Sequence, residues 1–236
     1  MLPHYAIGDV HGRDDLLALL LERIKFEHQQ NHADRPGVLV YVGDYIDRGA
    51  RSREVIDRVM RGVPGFETIC LKGNHEHMLL KCVESDDSHQ WEVWLGNGGD
   101  ATAESFNLQL GYGEHDPAAL AMAVGSKRLK WLEALKLSYR AGNYFFVHAG
   151  IVPGRALEDQ IEKDMLWIRD RFLESDQDHG VVVVHGHTPA RDPELKSNRI
   201  GIDTGPTYWG CLTAVALCEG SEPKFLSVTG EPGKGA

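Results

Sequence analysis

Cysteine is scarce in this sequence. The 236 residues include only four cysteines, none of them in a CxxC pair: Cys70, Cys82, Cys211 and Cys218. This spacing argues against a zinc-knuckle site and against a disulfide scaffold. Because Cys70, Cys211 and Cys218 lie in apolar runs, we predict reduced, buried thiols.

Long apolar runs and linker segments are also missing. No stretch approaches the roughly 20 apolar residues of a membrane span, and the segment Met1–Tyr5 has neither the basic nor the apolar region of a secretory signal. We therefore expect a soluble, cytoplasmic protein. No Pro/Ser-rich tract divides the chain, and a hydrophobic content of 42% can fill a large core. We predict a single domain over residues 1–236.

Basic residues are outnumbered by acidic ones. The chain has 25 Lys and Arg against 35 Asp and Glu, which gives a net charge of −10. Phosphate backbones are bound by clustered Lys and Arg, so this balance argues against a general nucleic-acid binder. An acidic protein can still concentrate arginine in one pocket, and a small anionic group therefore remains compatible with the composition.

The most informative stretch is Gly43-Asp44-Tyr45-Ile46-Asp47-Arg48-Gly49. It directly follows the apolar run Val38–Val42, so the pattern indicates a buried strand that ends in a glycine-bracketed loop. Buried charges of this number are costly unless a cation lies between the carboxylates and an anion lies against Arg48. For this stretch alone, a strand-to-helix turn with a surface ion pair is the alternative.

Similar glycine-flanked loops follow four other predicted strands. They contain Asp9 and His11 after Tyr5–Ile7, Asn74 after Thr68–Leu71, His148 after Tyr144–Val147, and His187 after Val181–Val184. A single histidine at a strand end is more often a capped or solvated loop residue. Strand ends at one edge of a sheet converge, however, so we predict that these side chains and Asp44 form a shell for two metals that share Asp44.

The order of predicted elements is typical of an α/β protein. Helices are predicted over residues 14–30 and 53–61 between the first three strands, a helical insertion over about 77–135, and a β-rich end. The insertion contains Gly96–Ala101, which matches a loose dinucleotide-binding pattern. This segment follows a helical stretch and adjoins Trp91 and Trp94, so we interpret its glycines as packing residues.

Five segments together resemble the signature of the phosphoprotein phosphatase family of metallophosphoesterases, in its bacterial and bacteriophage branch. They are Gly8-Asp9-Val10-His11-Gly12, Gly43–Gly49, Gly73-Asn74-His75-Glu76, Val147-His148-Ala149-Gly150 and Gly186-His187. The resemblance implies a calcineurin-like fold of the α/β (α+β) class, a sandwich of two mixed β-sheets flanked by helices. It also implies two divalent metal ions, with manganese expected and iron or zinc as alternatives.

The resemblance further implies a role for each site residue. The first metal would be bound by Asp9, His11 and Asp44, and the second by Asp44, Asn74, His148 and His187. Arg48, Arg169 and Asn74 would bind the substrate phosphate, with Arg171 as a rival to Arg169. His75 would be the general acid and Asp47 its orienting partner. His185 has no metal role in the family pattern.

The predicted activity is that of a serine/threonine protein phosphatase acting on phosphorylated proteins or peptides, with phosphotyrosine and aryl phosphates as further substrates. A hydroxide bridging the two metals would attack phosphorus directly. One alternative is a symmetrical dinucleoside-tetraphosphate hydrolase, a group that usually lacks the acid at the position of Asp47. The other is an inactive scaffold that binds phosphoproteins, which the full set of ligands disfavours.

Overall fold

The computed structural model describes residues 1–111, 113 and 115–233. Over these residues the strands are β1 (His4–Ile7), β2 (Gly37–Tyr41), β3 (Phe66–Cys70), β4 (Ser138–Ala141), β5 (Tyr144–Val147), β6 (Val182–His185), β7 (Glu194–Leu195), β8 (Arg199–Gly201), β9 (Cys211–Leu217) and β10 (Lys224–Thr229). The helices are α1 (Asp14–His32), α2 (Ser52–Arg61), α3 (Asn74–Glu84), α4 (Ser88–Gly96), α5 (Gly99–Ser105), α6 (Pro117–Val124), α7 (Ser126–Glu133), α8 (Glu162–Trp167) and α9 (Asp170–Leu173).

The first sheet has the strand order β10-β9-β1-β2-β3. Strands β1, β2 and β3 are parallel, whereas β9 is antiparallel to β1 and β10 is antiparallel to β9. Neighbouring parallel strands need crossover connections, which α1 and α2 provide. The carboxyl ends of β1, β2 and β3 therefore lie at the same edge of this sheet, where the predicted loops begin.

The second sheet has the order β4-β5-β6-β8-β7. Strands β4 and β5 form a hairpin around Gly142-Asn143, and β5, β6 and β8 are parallel. Strand β7 pairs antiparallel with β8 over only two residues, which is too short to leave an alternating pattern in the sequence. The parallel strands β5 and β6 end next to His148 and His187.

The two sheets pack face to face through a shared apolar core. Val40 and Val215 of the first sheet meet Phe146 and Val184 of the second in this layer. On its other face, the first sheet packs against α1, α2 and the helices between residues 74 and 133, in a core that contains the buried leucines of α1. The predicted sandwich of two mixed β-sheets flanked by helices is confirmed.

Helix α3 begins earlier than the sequence predicts. Asn74, His75 and Glu76 were expected in a loop, but they form the first turn of α3. The physical reason is a cap: the Glu76 carboxylate accepts a 2.9 Å hydrogen bond from the backbone N–H of Gly73, which starts the helix directly after β3. The backbone of the predicted acid is thus held in a helical turn.

The four thiols are free, as predicted, but the prediction that they are buried is wrong for three of them. Only Cys82 is buried, whereas Cys70, Cys211 and Cys218 are partly exposed. Cys211 is the first residue of β9, and Cys218 directly follows its last residue. Among the described residues, no helix combines the length and apolar character that crossing a membrane requires.

Candidate active site

Six predicted ligands converge where the two sheets end. Each is at most 5% exposed; they are Asp9, His11, Asp44, Asn74, His148 and His187. Backbone hydrogen bonds join the loops that carry them. The N–H of His11 donates to the carbonyl of Asp44 at 2.9 Å, and the N–H of Gly186 donates to the carbonyl of His148 at 2.8 Å. The convergence follows from the parallel strand order.

The first group of ligand atoms comes from His11, Asp44 and His75, and all its atoms lie within 4.8 Å of one another. Nε2 of His11 is 3.6 Å and Nε2 of His75 is 3.8 Å from Oδ2 of Asp44. The His11 Nδ1–H donates to the carbonyl of Ile46 at 2.9 Å. This bond leaves Nε2 as the atom with a lone pair, and it accepts from Arg48 Nη1 at 2.8 Å.

The second group comes from Asp44, His148 and His187. Nε2 of His148 lies 3.4 Å from Oδ1 of Asp44. Oδ1 of Asn74 lies 2.8 Å from Nε2 of His148 and 2.9 Å from Nδ1 of His187, so Asn74 joins this group. Asp44 therefore directs Oδ2 to the first group and Oδ1 to the second, which is the arrangement of a bridging carboxylate.

The contacts in the second group fit a divalent transition metal. The Nδ1–H of His148 donates to the carbonyl of Val42 at 3.0 Å, so its Nε2 is an acceptor and faces another acceptor, Oδ1 of Asn74. Burial lowers the pKa of His148 and lowers that of His187 to about 2, so protonation of the rings does not relieve this repulsion. A cation between the lone pairs does, and the mixture of imidazole nitrogens and carboxylate or amide oxygens suits manganese, iron or zinc better than calcium.

Asp9 belongs to neither group, although the sequence analysis placed it on the first metal. Its Oδ2 accepts the backbone N–H of His187 at 2.9 Å, while its buried Oδ1 has no hydrogen-bond partner among the described residues. Burial raises the pKa of Asp9 well above its ordinary value, and the carboxylates of Asp203 and Asp44 raise it further. A Cβ at position 186 would collide with this carboxylate, so Gly186 is required. A cation beside Oδ1 would offset the clustered negative charge.

The loops of the site hold strained backbone. Five residues other than glycine adopt left-handed conformations there: His11, Asp44, Asp47, Arg48 and His187, with φ between 45° and 73°. Such conformations cost about 1–3 kcal/mol each and persist only where surrounding bonds enforce them. Strain concentrated on predicted ligands and on the predicted phosphate-binding arginine indicates that these loops are shaped for a ligand.

His75 and Asp47 form a buried pair. Nδ1 of His75 lies 2.6 Å from Oδ2 of Asp47, and both side chains are at most 1% exposed. Burial disfavours the charged imidazole, but the carboxylates of Asp44 and Asp47 outweigh burial and raise the pKa of His75 above its ordinary value. The raised pKa favours the protonated ring, which is the form that a general acid needs.

Two of the three candidate arginines lie at the site. Nη2 of Arg48 is 3.1 Å from Nε2 of His75, and its guanidinium stacks over the ring of Tyr208 at 5.6 Å. Nη1 of Arg169 donates to Oγ1 of Thr188 at 3.1 Å, next to the ligand loop, and its positive charge helps to lower the pKa of the two histidines in the second group. Arg171 lies exposed on α9.

A sequence profile of the calcineurin-like phosphoesterase family matches residues 2–211. This match spans most of the chain and covers every loop of the site. The chain is a calcineurin-like metallophosphoesterase. Enzymes of this family use divalent metals, in agreement with the two ligand groups that meet at Asp44.

Relatives of this metallophosphoesterase are named for more than one enzymatic activity. The chain is 31% identical to serine/threonine-protein phosphatase 1 of Salmonella typhimurium, over 90% of its own length and 91% of the relative's. It is 27% identical to an asymmetrical bis(5'-nucleosyl)-tetraphosphatase of Halalkalibacterium halodurans, over 94% and 92% of the two chains. The cold-active protein-tyrosine phosphatase of a psychrophilic Shewanella species has the same fold, with a TM-score of 0.61, 18% identity and coverage of 96% and 80%.

Glu76 has a role in this metallophosphoesterase that was not predicted from the sequence. Its carboxylate is fully buried and accepts hydrogen bonds from the backbone N–H groups of Asp44, Tyr45 and Gly73, at 2.8–2.9 Å. One side chain thereby fixes the loop of the shared ligand to the start of α3. The signal was available as a glutamate three residues after Gly73, at the N3 position of a capping box.

Replacement of Glu76 by Gln tests this anchor. An amide can accept through only one of its two polar atoms, so at least one buried backbone N–H loses its partner, and we expect the free energy of unfolding to fall by about 1–3 kcal/mol. Denaturant unfolding of chelated protein measures the change. Glu84→Gln, at the exposed end of α3, is the control and should change stability by no more than about 0.5 kcal/mol. Equal changes in the two variants would contradict the anchoring role.

Asp203 is a second residue at the site that was not predicted from the sequence. It is buried, its Oδ1 accepts the backbone N–H of Gly205 at 3.0 Å, and burial raises its pKa to about 6. It acts on the site by raising the pKa of Asp9. The segment from Gly201 to Gly205 has the same glycine-bracketed form as the other ligand loops, and this pattern could have revealed it.

The glycine-rich segment Gly96–Ala101 packs against the Arg48 loop. The carbonyl of Gly98 accepts the backbone N–H of Arg48 at 3.0 Å. Gly98 has φ of 91°, and a Cβ there would press on the backbone of Arg48, so only glycine allows this approach. The prediction that these glycines serve packing is confirmed for Gly98 and for Gly99, which lies against the Trp94 ring, but not for Gly96, where a Cβ would meet open space.

Proposed function

We propose that this metallophosphoesterase is a phosphomonoesterase that removes phosphate from phosphoserine and phosphothreonine in proteins. The observation that carries the proposal is the hydrogen bond between His75 and Asp47. A serine or threonine alkoxide is a poor leaving group and needs a proton as its bond to phosphorus breaks. His75 faces the ligand groups with Nε2 and is bound by Asp47 through Nδ1, which is the geometry of a proton donor.

The ligand residues would form two neighbouring metal sites. His11 and Asp44, together with the free oxygen of Asp9, would hold one divalent ion; Asp44, Asn74, His148 and His187 would hold the other. Bound divalent ions supply Lewis-acid stabilisation of phosphate oxygens and a source of hydroxide near neutral pH. Arg48 and Arg169 would neutralise the charge that gathers on the oxygens of the transferred phosphoryl group.

A groove beside Arg48 gives an extended substrate access to the site. It has a volume of about 940 Å³, and its lining includes Gly12, Arg51, Asn97 and Tyr208. Arg48 lies in its wall and joins it to the first ligand group. A peptide segment on either side of a phosphorylated residue could lie in this groove while its phosphate reaches the arginine.

The second candidate function is hydrolysis of dinucleoside tetraphosphates, which the tetraphosphatase relative supports. The leaving group in that reaction is a nucleotide phosphate, which departs without prior protonation. A buried His75–Asp47 pair would then have little to contribute. This difference in leaving-group chemistry favours the protein phosphatase.

A substrate panel tests the proposal. Purified protein with manganese is assayed on phosphoserine, phosphothreonine and phosphotyrosine peptides, on diadenosine tetraphosphate and on p-nitrophenyl phosphate. We expect the highest kcat/KM on the phosphoserine or phosphothreonine peptide. A higher kcat/KM on diadenosine tetraphosphate would establish the second candidate, and binding of phosphopeptides without turnover of any substrate would indicate a scaffold.

The choice between Arg169 and Arg171 gives a separate prediction. Arg169→Ala should lower kcat/KM on a phosphopeptide by roughly 10²-fold or more and weaken inhibition by free phosphate, because a charged hydrogen-bond partner of the phosphoryl oxygens is lost. Arg171→Ala removes the same charge two residues away and should change both quantities by about twofold or less. A larger effect of Arg171→Ala on phosphate inhibition would reverse the assignment.

A further inference from the structure

The helical insertion reaches the acid pair through Asp47. The Asp47 carboxylate, which binds His75, also accepts from the indole N–H of Trp94 on α4, at 3.1 and 3.2 Å from its two oxygens. Oγ1 of Thr102 on α5 donates to Oδ1 of Asp47 at 2.6 Å. All four side chains are at most 1% exposed, so these bonds form out of contact with water.

The hydroxyl of Thr102 has a complete set of partners. It donates to the Asp47 carboxylate and accepts from the backbone N–H of Asp47 at 2.8 Å. Its remaining lone pair faces Oγ of Ser52 at 2.9 Å. A hydroxyl has one hydrogen and two lone pairs, so Thr102 is fully satisfied and holds both the backbone and the side chain of Asp47.

Packing alone does not account for this arrangement. Trp91 lies on the same helix as Trp94 and is equally buried, but its indole N–H donates to the backbone carbonyl of Ser85 at 3.0 Å, within the insertion. Trp94, in contrast, directs its N–H out of the insertion and onto Asp47. The two tryptophans differ in what their indole donors bind, and this difference separates a structural role from a role in positioning.

We propose that Trp94 and Thr102 are positioning residues that fix Asp47 and, through it, the orientation of the His75 ring for proton donation. The inference rests on the proposed function, because it takes His75 to be the proton donor. Three donors from three different elements converge on the Asp47 carboxylate. Because Trp94 and Thr102 fix the orientation of the carboxylate, it can bind the imidazole in only one direction. The His75 ring therefore cannot rotate away from the leaving group.

The test compares Trp94→Phe with Trp91→Phe, which removes the same N–H from the same helix without touching Asp47. Thr102→Val deletes the hydroxyl at constant shape, and Thr102→Ser restores it. Each protein is assayed with manganese on p-nitrophenyl phosphate, whose leaving group departs almost unaided, and on phenyl phosphate and a phosphoserine peptide, whose leaving groups need a proton.

We expect Trp94→Phe and Thr102→Val to lower kcat by roughly 10-fold on the two poor leaving groups, which is part of the roughly 10²–10⁴-fold that an acid contributes. The loss on p-nitrophenyl phosphate should be about twofold or less, and Trp91→Phe and Thr102→Ser should stay within about twofold of the parent on all three. In a His75→Asn background, Trp94→Phe should cause no further loss, because residues that act through one another are not additive.

A readout without metal or substrate complements the kinetics. The Nδ1–H proton of His75, assigned by its absence in His75→Asn, should be visible by NMR in chelated parent protein and in Trp91→Phe. It should be broadened by exchange or shifted in Trp94→Phe and Thr102→Val, because the carboxylate that protects it is less firmly held.

Three results would overturn the inference. Equal losses on good and poor leaving groups, equal effects of Trp94→Phe and Trp91→Phe, or a full additional loss in the His75→Asn background would each show that Trp94 acts through general stability. Each of these results can be obtained only if the parent enzyme is active on phosphomonoesters, so none of them contradicts the proposed function. A parent protein inactive on all three phosphomonoesters would overturn the proposed function and the inference together.

Discussion

His75→Asn is expected to lower kcat on a phosphoserine peptide by roughly 10²–10⁴-fold, the usual contribution of a general acid. On p-nitrophenyl phosphate the loss should be clearly smaller, because nitrophenolate departs almost without a proton. The structural reason is the 2.6 Å bond between Nδ1 of His75 and Asp47, which leaves Nε2 directed at the ligand groups. Parallel measurements of kcat on the two substrates give the comparison.

Asp47→Asn should show the same ordering of losses at reduced size. The variant keeps the imidazole but removes the negative charge that helps to raise the pKa of His75. The metal content of both variants should match the parent, because the proposed function gives the first ion to Asp9, His11 and Asp44 and keeps His75 as the proton donor, although its Nε2 lies in the first group of possible ligand atoms. Equal losses on both substrates with metals still bound would mean that His75 acts through its charge on the phosphoryl group and that another group supplies the proton.

Asp44→Asn should have the largest effect of any single change at the ligand groups. Asp44 is the only residue common to both groups of ligand atoms found among the described residues, and one of its oxygens faces each group. Weakening both metals at once forfeits several kcal/mol of charge stabilisation in the transition state, which corresponds to a loss in kcat of roughly 10³-fold or more. Turnover of p-nitrophenyl phosphate at saturating manganese measures it.

Asp57→Asn is the matched control for Asp44→Asn. Asp57 lies on α2 and pairs with Arg128 at the surface, at 2.7 Å, so the same change of charge occurs away from the site. This variant should retain activity within about twofold, in keeping with the small contribution of surface ion pairs. If Asp44→Asn kept most of its activity, the shared carboxylate would not be the centre of the catalytic site.

The location of the site could be predicted because local patterns and sheet topology suffice for it. An apolar run that ends in glycine-flanked Asp, Asn or His is visible in the sequence, and parallel strands bring such ends to one edge. Asp44, Asn74, His148 and His187 are found together for this reason. The alternation of strands and helices predicted an α/β protein, and the family resemblance implied the sandwich of two mixed β-sheets.

The finer arrangement depends on contacts that no local pattern records. The sequence pattern predicts Asp9 as a ligand of the first metal, but it does not show that one oxygen of Asp9 binds the backbone of His187 or that Nε2 of His75 lies beside Asp44. The bonds from Trp94 and Thr102 to Asp47 join residues 47 and 55 positions apart. Such pairings are set by how α4 and α5 pack over the loops, and helical periodicity predicts only that Trp94 is buried.

The start of α3 could not be predicted from the sequence for a different reason. Asn74, His75 and Glu76 follow a strand directly, so the strand-end pattern and the helix-start pattern overlap in the same residues. The glutamate at N3 decides between them, because it satisfies the N–H of Gly73 and two N–H groups of the Asp44 loop at once. Its two partners in that loop lie more than 30 positions away in the chain and are not visible from local propensity.

The most direct test of the account is the number of metal ions bound per chain, measured by elemental analysis after loading with manganese and removal of free metal, together with activity. We predict about two ions per chain in the parent protein, as expected for a two-metal site that shares one carboxylate. His187→Ala, which disrupts only the second group, should hold about one ion and lose most turnover. Chelation should abolish activity, and added manganese should restore it. Full activity in protein shown to be free of metal would contradict the account.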